Sequence, residues 1–338
     1  MKATILYGAR DVRYEERESP KIIHPTDAII RISAACVCGS DLWPYRGINK
    51  ITQPMAMGHE YCGIVEEVGK SVAIIKPGQF VIGSFFASDN TCPHCLSGYH
   101  SSCRQKELVT GAQAPYLRVP LADGTLVAVP ELPTPDLIPS LLTLSDVMGT
   151  GWFAANAASV EPGQTVVVVG DGAVGLLAVL SAKLMGAGRI IAMSRRESRQ
   201  KLAHEFGATD IVTERGNEGV ARIKELTNGV GADGALECVG TQQSMMQAIG
   251  ITRPGGHMSF VGVPHGVELR GDELFYTHVH LHGGPAPVRR YLPELIGLVL
   301  HEKINPGKVF DLVLPLDRVA EGYRAMDERR AIKSLLLP

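Results

Sequence analysis

The stretch Thr165-Val-Val-Val-Val-Gly-Asp-Gly-Ala-Val-Gly175 decides how the rest of the chain is read. Four β-branched valines run into Gly170, Asp171, Gly172, Ala173, Val174 and Gly175, and Leu176-Leu177-Ala178-Val179-Leu180 follows at helical rather than alternating period. This order predicts strand, tight turn and helix. Gly170 serves the turn, Gly172 lets backbone approach a pyrophosphate, and Gly175 allows close packing of helix on strand. The N–H groups at the helix start, those of Ala173 and Val174 included, are then available to phosphate oxygens. A Gly-x-Gly-x-x-Gly run alone can be an ordinary turn; the valine strand before it and the apolar helix after it make it a dinucleotide site.

Outward from the motif, the apolar runs at 188–194, 231–240 and 257–263 alternate with helix-like segments at 198–207 and 241–250. That is the βαβ texture of a parallel, doubly wound sheet. Residues 1 to about 129 differ, being short β-branched segments punctuated by proline and glycine: KATILY, DVRYEE, DAIIRISAA, GIVEEVG and FVIGSFF. They predict a β-rich domain. A proline-dense link, 130–139, leads into a helical stretch near Leu141 to Asn156, and a last helix is expected from Tyr291 to His301 before a mixed tail. The class is therefore α/β, with a β-rich domain over 1–147 and 286–338 and a Rossmann domain over 148–285.

Strand 188–194 also bears on the choice of nicotinamide. An NAD enzyme places Asp or Glu about 20 residues beyond the glycines, where it bonds the ribose 2′-OH and repels a 2′-phosphate. Here Ser194, Arg195 and Arg196 stand instead, offering a hydroxyl and guanidinium forks suited to a phosphate. NADP(H) is the expected cofactor.

Composition narrows the partners. Formal net charge is −2 over 338 residues, so neither nucleic acid nor an anionic membrane is an expected partner, and a small metabolite is. The start, MKATILYGARDVRYEE, has no apolar leader core and no run is long enough to span a bilayer, so a cytoplasmic location is expected. Six of the seven cysteines bunch at 36, 38, 62, 92, 95 and 103, a pattern that in the cytosol points to metal rather than disulfides. Cys38, His59 and Asp146 offer a thiolate, an imidazole and a carboxylate, the mixed donor set of catalytic zinc. Singly, each reads as readily as a buried thiol, a strand-end histidine and a helix cap.

The chain resembles the zinc-dependent medium-chain alcohol dehydrogenases. The resemblance rests on CGSD from Cys38, MGHEYCGIVEEVG from Met57, the KPG turn at Lys76, SDVMGTGW from Ser145, VVVVGDGAVG and GRIIAMS…FGATDIV, in the family's order and across nearly the whole chain. It implies a GroES-like catalytic domain, with Cys38, His59 and Asp146 as ligands of a catalytic zinc. It also implies Glu60 as a carboxylate able to approach the metal, and Asp41 as the partner of the His59 imidazole. A zinc so held acts as a Lewis acid on an alcohol oxygen. Ser40 matches the family's proton-relay hydroxyl; Trp43 stands where many members have a histidine, and is read as a wall of the substrate pocket with Tyr45 and Trp152.

The segment 89–103 resembles the family's structural zinc loop, with Cys92, Cys95 and Cys103 in the last three ligand positions and Asp89 in the first. His94 or His100 could replace Asp89, or the loop could be metal-free. The alternating histidines of 277–282 would share one strand face, and are read as packing; Cys36, Cys62 and Cys238 are read as small core residues. The resemblance implies a homodimer or homotetramer acting on an alcohol, aldehyde or ketone. The alternatives are an NADPH-dependent reductase of carbonyl or activated C=C or C=N bonds, and a non-catalytic protein that holds zinc and nucleotide.

Overall fold

The valines of Thr165–Val169 (β1) are buried on both faces, as a central strand covered by helices requires. The computed structural model describes residues 1–338 as two units, Thr150–Ala286 and Met1–Gly149 with Pro287–Pro338. In the first, β1 leads through the glycine turn into Ala173–Leu184 (α1), followed by Arg189–Met193 (β2), Glu197–Phe206 (α2), Asp210–Val212 (β3) and Gly216–Leu226 (α3). Ala232–Glu237 (β4), Gln242–Ile251 (α4), Thr252–Phe260 (β5) and His280–Gly283 (β6) complete it. All pairings are parallel, in the order β3-β2-β1-β4-β5-β6, the doubly wound arrangement whose order reverses beside β1. Thr241 caps α4 reciprocally with Ser244, and Gly207 ends α2 in the left-handed region at φ +116°.

The second unit carries a seven-stranded sheet. Its main path runs Leu126–Ala128, Phe80–Gly83, Tyr61–Val68, Ala28–Cys36, Lys333–Leu337 and Phe310–Pro315, with Tyr116–Val119 also pairing with Ala28–Cys36. Lys333–Leu337 lies between its neighbours, antiparallel to Ala28–Cys36 and parallel to Phe310–Pro315. Ile30, Ile32, Tyr61, Val65, Val81 and Leu117 form one core; Leu6, Tyr45, Leu314, Tyr323 and Leu336 belong to another. Each fully buried aliphatic side chain contributes roughly 1.5–3 kcal/mol.

Four expectations need correction. The helix expected near 141–156 is two helices, Ile138–Thr143 and Val147–Ala157, because Ser145 in the intervening turn bonds away from it, accepting the Tyr61 N–H at 3.0 Å and donating to the Gly83 carbonyl at 2.6 Å. The run FVIGSFF is two strands, Phe80–Gly83 and Phe86–Ala87. His278, at φ +54°, precedes β6 and does not share its alternation, so only His280 and His282 do; His257 of β5 stacks on His280 at 4.5 Å. Tyr45 is not a pocket wall: it is 6% exposed and packs on Tyr323 at 5.3 Å.

Candidate metal centres and dinucleotide turn

Cys38 follows the end of the strand Ala28–Cys36, just before the turn that starts the short helix Leu42–Tyr45. Asp41, in that turn, accepts the Cys38 N–H through Oδ2 at 3.0 Å and meets His59 Nδ1 through Oδ1 at 3.3 Å. One carboxylate thus fixes the loop that carries the thiol and the tautomer of the imidazole. His59 and Glu60 precede Tyr61–Val68, after Gly58 at φ +92°, where a Cβ would lie 2.6 Å from the Gln113 side chain. Gln113 in turn donates to the Cys36 carbonyl and accepts from the Tyr323 hydroxyl, both at 3.1 Å. Asp146 sits in the turn clamped by Ser145.

Cys38, His59, Glu60 and Asp146 each offer a donor atom, and these lie within 4.8 Å of one another. Asp146 Oδ2 is 3.5 Å from Cys38 Sγ and 3.3 Å from His59 Nε2. Tetrahedral zinc, with bonds of about 2.3 Å to sulfur and about 2.0–2.1 Å to nitrogen and oxygen, requires separations of roughly 3.5 Å and 3.3 Å. Glu60 Oε1 accepts from Lys333 Nζ at 2.7 Å, while Oε2 is buried without a hydrogen-bond partner. Burial, followed by the Asp146 and Glu60 charges, pushes the Cys38 thiol up to about 11. Burial also works against the charged form of His59, but Asp41, Cys38 and Asp146 outweigh it and hold the imidazole well above its ordinary pKa. The negative charge crowded here is what a dication neutralises.

The loop at 89–103 gives a second cluster, Asp89, Cys92, Cys95 and Cys103, also within 4.8 Å. Its sulfur separations, 3.6 Å for Cys92 to Cys95 and 3.9 Å for Cys92 to Cys103, bracket the roughly 3.8 Å set by two Zn–S bonds at the tetrahedral angle. Asp89 Oδ1 accepts the N–H groups of Thr91 and Cys92 at 2.9 Å, which turns the loop back on itself. His94 Nδ1 is instead 2.6 Å from the Ser102 carbonyl, and neither His94 nor His100 joins the cluster. Ser40 lies half-buried in the turn between Cys38 and Asp41, and the half-buried Trp43 has the Arg46 guanidinium 5.8 Å from its ring.

In the other unit, Gly170 has φ +121°, and a Cβ at Gly175 would overlap the Gly170 carbonyl oxygen. Gly172 precedes α1 in extended backbone, and a Cβ there would meet nothing, leaving the helix start with Ala173 and Val174 open to a phosphate. Ser194 requires a correction: its side chain is fully buried and its hydroxyl donates to Asp171 Oδ2 at 2.8 Å, so that proton is not directed at a phosphate. Arg195 and Arg196 are exposed, with Arg195 Nε donating to the Thr213 carbonyl at 3.0 Å. Cys238 is half-buried beside the glycine turn, whereas Cys36 and Cys62 are buried in the core.

Residues 24–131 match the alcohol dehydrogenase GroES-like domain, and residues 173–300 match the zinc-binding dehydrogenase domain. The zinc-type alcohol dehydrogenase B of Aspergillus flavus is 34% identical over 98% of this chain and 80% of its own length. The chain belongs to the zinc-dependent medium-chain alcohol dehydrogenases. Another such relative, the NADP-dependent isopropanol dehydrogenase of Thermoanaerobacter brockii, is 32% identical over 100% of this chain and 99% of its own. Among solved structures, the alcohol dehydrogenase TADH from Thermus sp. ATN1 superimposes with a TM-score of 0.90 at 31% identity, covering 100% and 99% of the two chains. This zinc alcohol dehydrogenase is thus an oxidoreductase that acts on a small molecule with zinc and a nicotinamide. No helix is long and apolar enough to cross a membrane. Lys333, Ser145 and Gln113, which bear on the Cys38 cluster, were not singled out from sequence, because a buried lysine, a serine and a glutamine carry no metal-ligand signature.

Proposed function

We propose that this chain interconverts a primary or secondary alcohol and its aldehyde or ketone with NADP(H), and that Cys38, His59 and Asp146, with Glu60 beside them, hold the catalytic zinc. The observation that carries the reading is the convergence of those four donors at zinc-compatible separations. When bound, the metal supplies Lewis acidity that favours loss of the alcohol proton. Ser40, two residues from the thiol ligand, is the hydroxyl that would take that proton; Trp43, whose indole only donates, does not continue the relay as a histidine there would, and the onward path runs by the ribose of a bound cofactor and water or by another group. Asp41 keeps the His59 ring oriented and Lys333 keeps the Glu60 carboxylate in place.

Asp89, Cys92, Cys95 and Cys103 hold a second, structural zinc. Freshly purified protein is expected to contain about two zinc per chain, and Asp89→Ala to lower the melting temperature more than it lowers kcat, since a closed metal site contributes folding energy. One zinc per chain, lost only with Cys38, would show the loop to be empty.

The NADP(H) preference is supported by Arg195 and Arg196 at the end of β2, by the absence of a carboxylate there in sequence, and by the name of the T. brockii relative. A panel of primary and secondary alcohols, followed at the nicotinamide absorbance, tests the whole reading. The expected kcat/KM is higher with NADP than with NAD, the difference lying mostly in KM. Arg195→Ala with Arg196→Ala is expected to raise the NADP KM about tenfold or more, as loss of charge-assisted phosphate contacts should. An unchanged KM sinks the assignment of these arginines.

A further inference from the structure

The middle residue of the Gly170-Asp171-Gly172 turn is a carboxylate, an awkward charge to set where phosphates are received. Its surroundings neutralise it. Arg199, the third residue of α2, is 8% exposed and reaches back to the turn, donating through Nη1 to Asp171 Oδ1 at 3.1 Å and to the Asp171 carbonyl at 3.2 Å. Ser194 donates to the other carboxylate oxygen. Ser194 is itself held on three sides: its amide donates to the Val212 carbonyl at 3.0 Å, its carbonyl accepts from Gln200 Nε2 at 2.9 Å, and its hydroxyl is spent on Asp171. The chain Arg199–Asp171–Ser194 therefore ties the turn that receives the pyrophosphate to the end of the strand that receives the adenosine ribose.

At that strand end an NAD enzyme offers a carboxylate to the 2′-OH. This chain has one there after all, Asp171, contributed from the glycine turn rather than from β2, and Arg199 is the side chain that cancels its charge. Asp171 retains 22% of its side-chain exposure, so its charge is not walled off from the site. We propose that Arg199 is a positioning residue that sets cofactor specificity: by neutralising and orienting Asp171 it makes the ribose end of the site permissive to a 2′-phosphate. Arg195 and Arg196 supply attraction; Arg199 removes a repulsion that would otherwise oppose them. The inference rests on the NADP(H) reading above and adds a residue that contacts the turn rather than the phosphate.

The test is a set of direct binding titrations on the zinc-replete full chain, following NADPH and NADH fluorescence, with adenosine 2′,5′-bisphosphate and 5′-AMP as competitors. In Arg199→Leu the NADPH dissociation constant is expected to rise about tenfold relative to that of NADH, the equivalent of roughly 1.4 kcal/mol. In the doubly neutral Asp171→Asn, Arg199→Leu chain, the NADPH-to-NADH ratio is expected to return to within about twofold of wild type, because the two residues are in contact and their effects couple rather than add. If Arg199→Leu fails to fold, Asp171→Asn alone carries the test: it leaves Arg199 without its countercharge and is expected to shift the ratio further toward NADPH, and an unchanged ratio overturns the proposal. A merely structural role predicts equal weakening of both cofactors in Arg199→Leu, with the ratio left as in wild type, and that result overturns the proposal; so does a shifted ratio that the double variant leaves no nearer wild type. Tighter binding of NADH than NADPH by the wild type overturns instead the NADP(H) reading on which it rests, and is seen before any variant is made.

Discussion

Cys38→Ala and His59→Ala are each expected to lower kcat/KM for an alcohol by about a thousandfold or more, since Lewis-acid stabilisation is worth several kcal/mol and each 1.36 kcal/mol is tenfold in rate. Cofactor binding should persist in both variants. The glycine turn belongs to Thr150–Ala286, whereas Cys38 and His59 belong to the other unit, and the bonds that fix the turn involve Asp171, Ser194 and Arg199 rather than the Cys38 cluster. The two measurements are alcohol turnover at saturating cofactor and NADPH fluorescence titration. Undiminished turnover in either variant would sink the proposed site. Joint loss of turnover and NADPH binding would show that the substitution had disturbed more than the Cys38 cluster.

The second large effect is on stability. Lys333 is 1% exposed and Glu60 is fully buried; their charges meet at 2.7 Å, and Lys333 Nζ also donates to the Val37 carbonyl at 3.1 Å. Burial raises the Glu60 pKa against the pull of Lys333. Burial disfavours charged Lys333 too, yet Cys36 and Glu60 outweigh it and hold the amine well above its ordinary value. Removing one member leaves the other charged and unaccompanied. Lys333→Met is expected to cost about 3–5 kcal/mol, whereas a double change, Lys333→Met with Glu60→Gln, should recover most of it because a neutral pair of similar volume carries no such penalty. Thermal unfolding of the zinc-replete protein should show a fall on the order of 10 °C for the single variant. A single variant within about 1 kcal/mol of wild type would mean that the pair is not held as a desolvated ion pair.

What could be read from the chain beforehand was chemistry carried by local pattern. The turn 170–175 is legible because its strand, glycines and helix are contiguous, and the loop 89–103 because its cysteines fall at fixed spacing. Cys38, His59 and Asp146 could be picked out by donor type, and the whole-chain resemblance set them together. Lys333 could not be found that way, because it lies 273 residues from Glu60 and its own neighbours are the apolar residues of a strand. Ser145 escaped for a different reason: a serine beside a candidate ligand has no pattern, and only the pairing of Tyr61 with the 144–146 turn reveals the clamp. Tyr45 looked like a pocket aromatic because aromatic residues serve cores and pockets alike; packing on Tyr323 decides between them. The engagement of the Ser194 hydroxyl with Asp171 has no local signature either, since nothing at position 171 announces that its carboxylate will turn toward β2.

The insertion of Lys333–Leu337 between Ala28–Cys36 and Phe310–Pro315 has a consequence in time. Synthesis at about 5–20 residues per second puts Lys333 on the order of tens of seconds behind Glu60. Until it emerges, the Glu60 carboxylate has no countercharge with which to enter the interior, and Ala28–Cys36 shows a bare edge where its partner will lie. The ribosome therefore delivers the lock of this sheet long after the thiol and imidazole it encloses, and the nascent chain must keep that edge from pairing with a neighbour in the meantime.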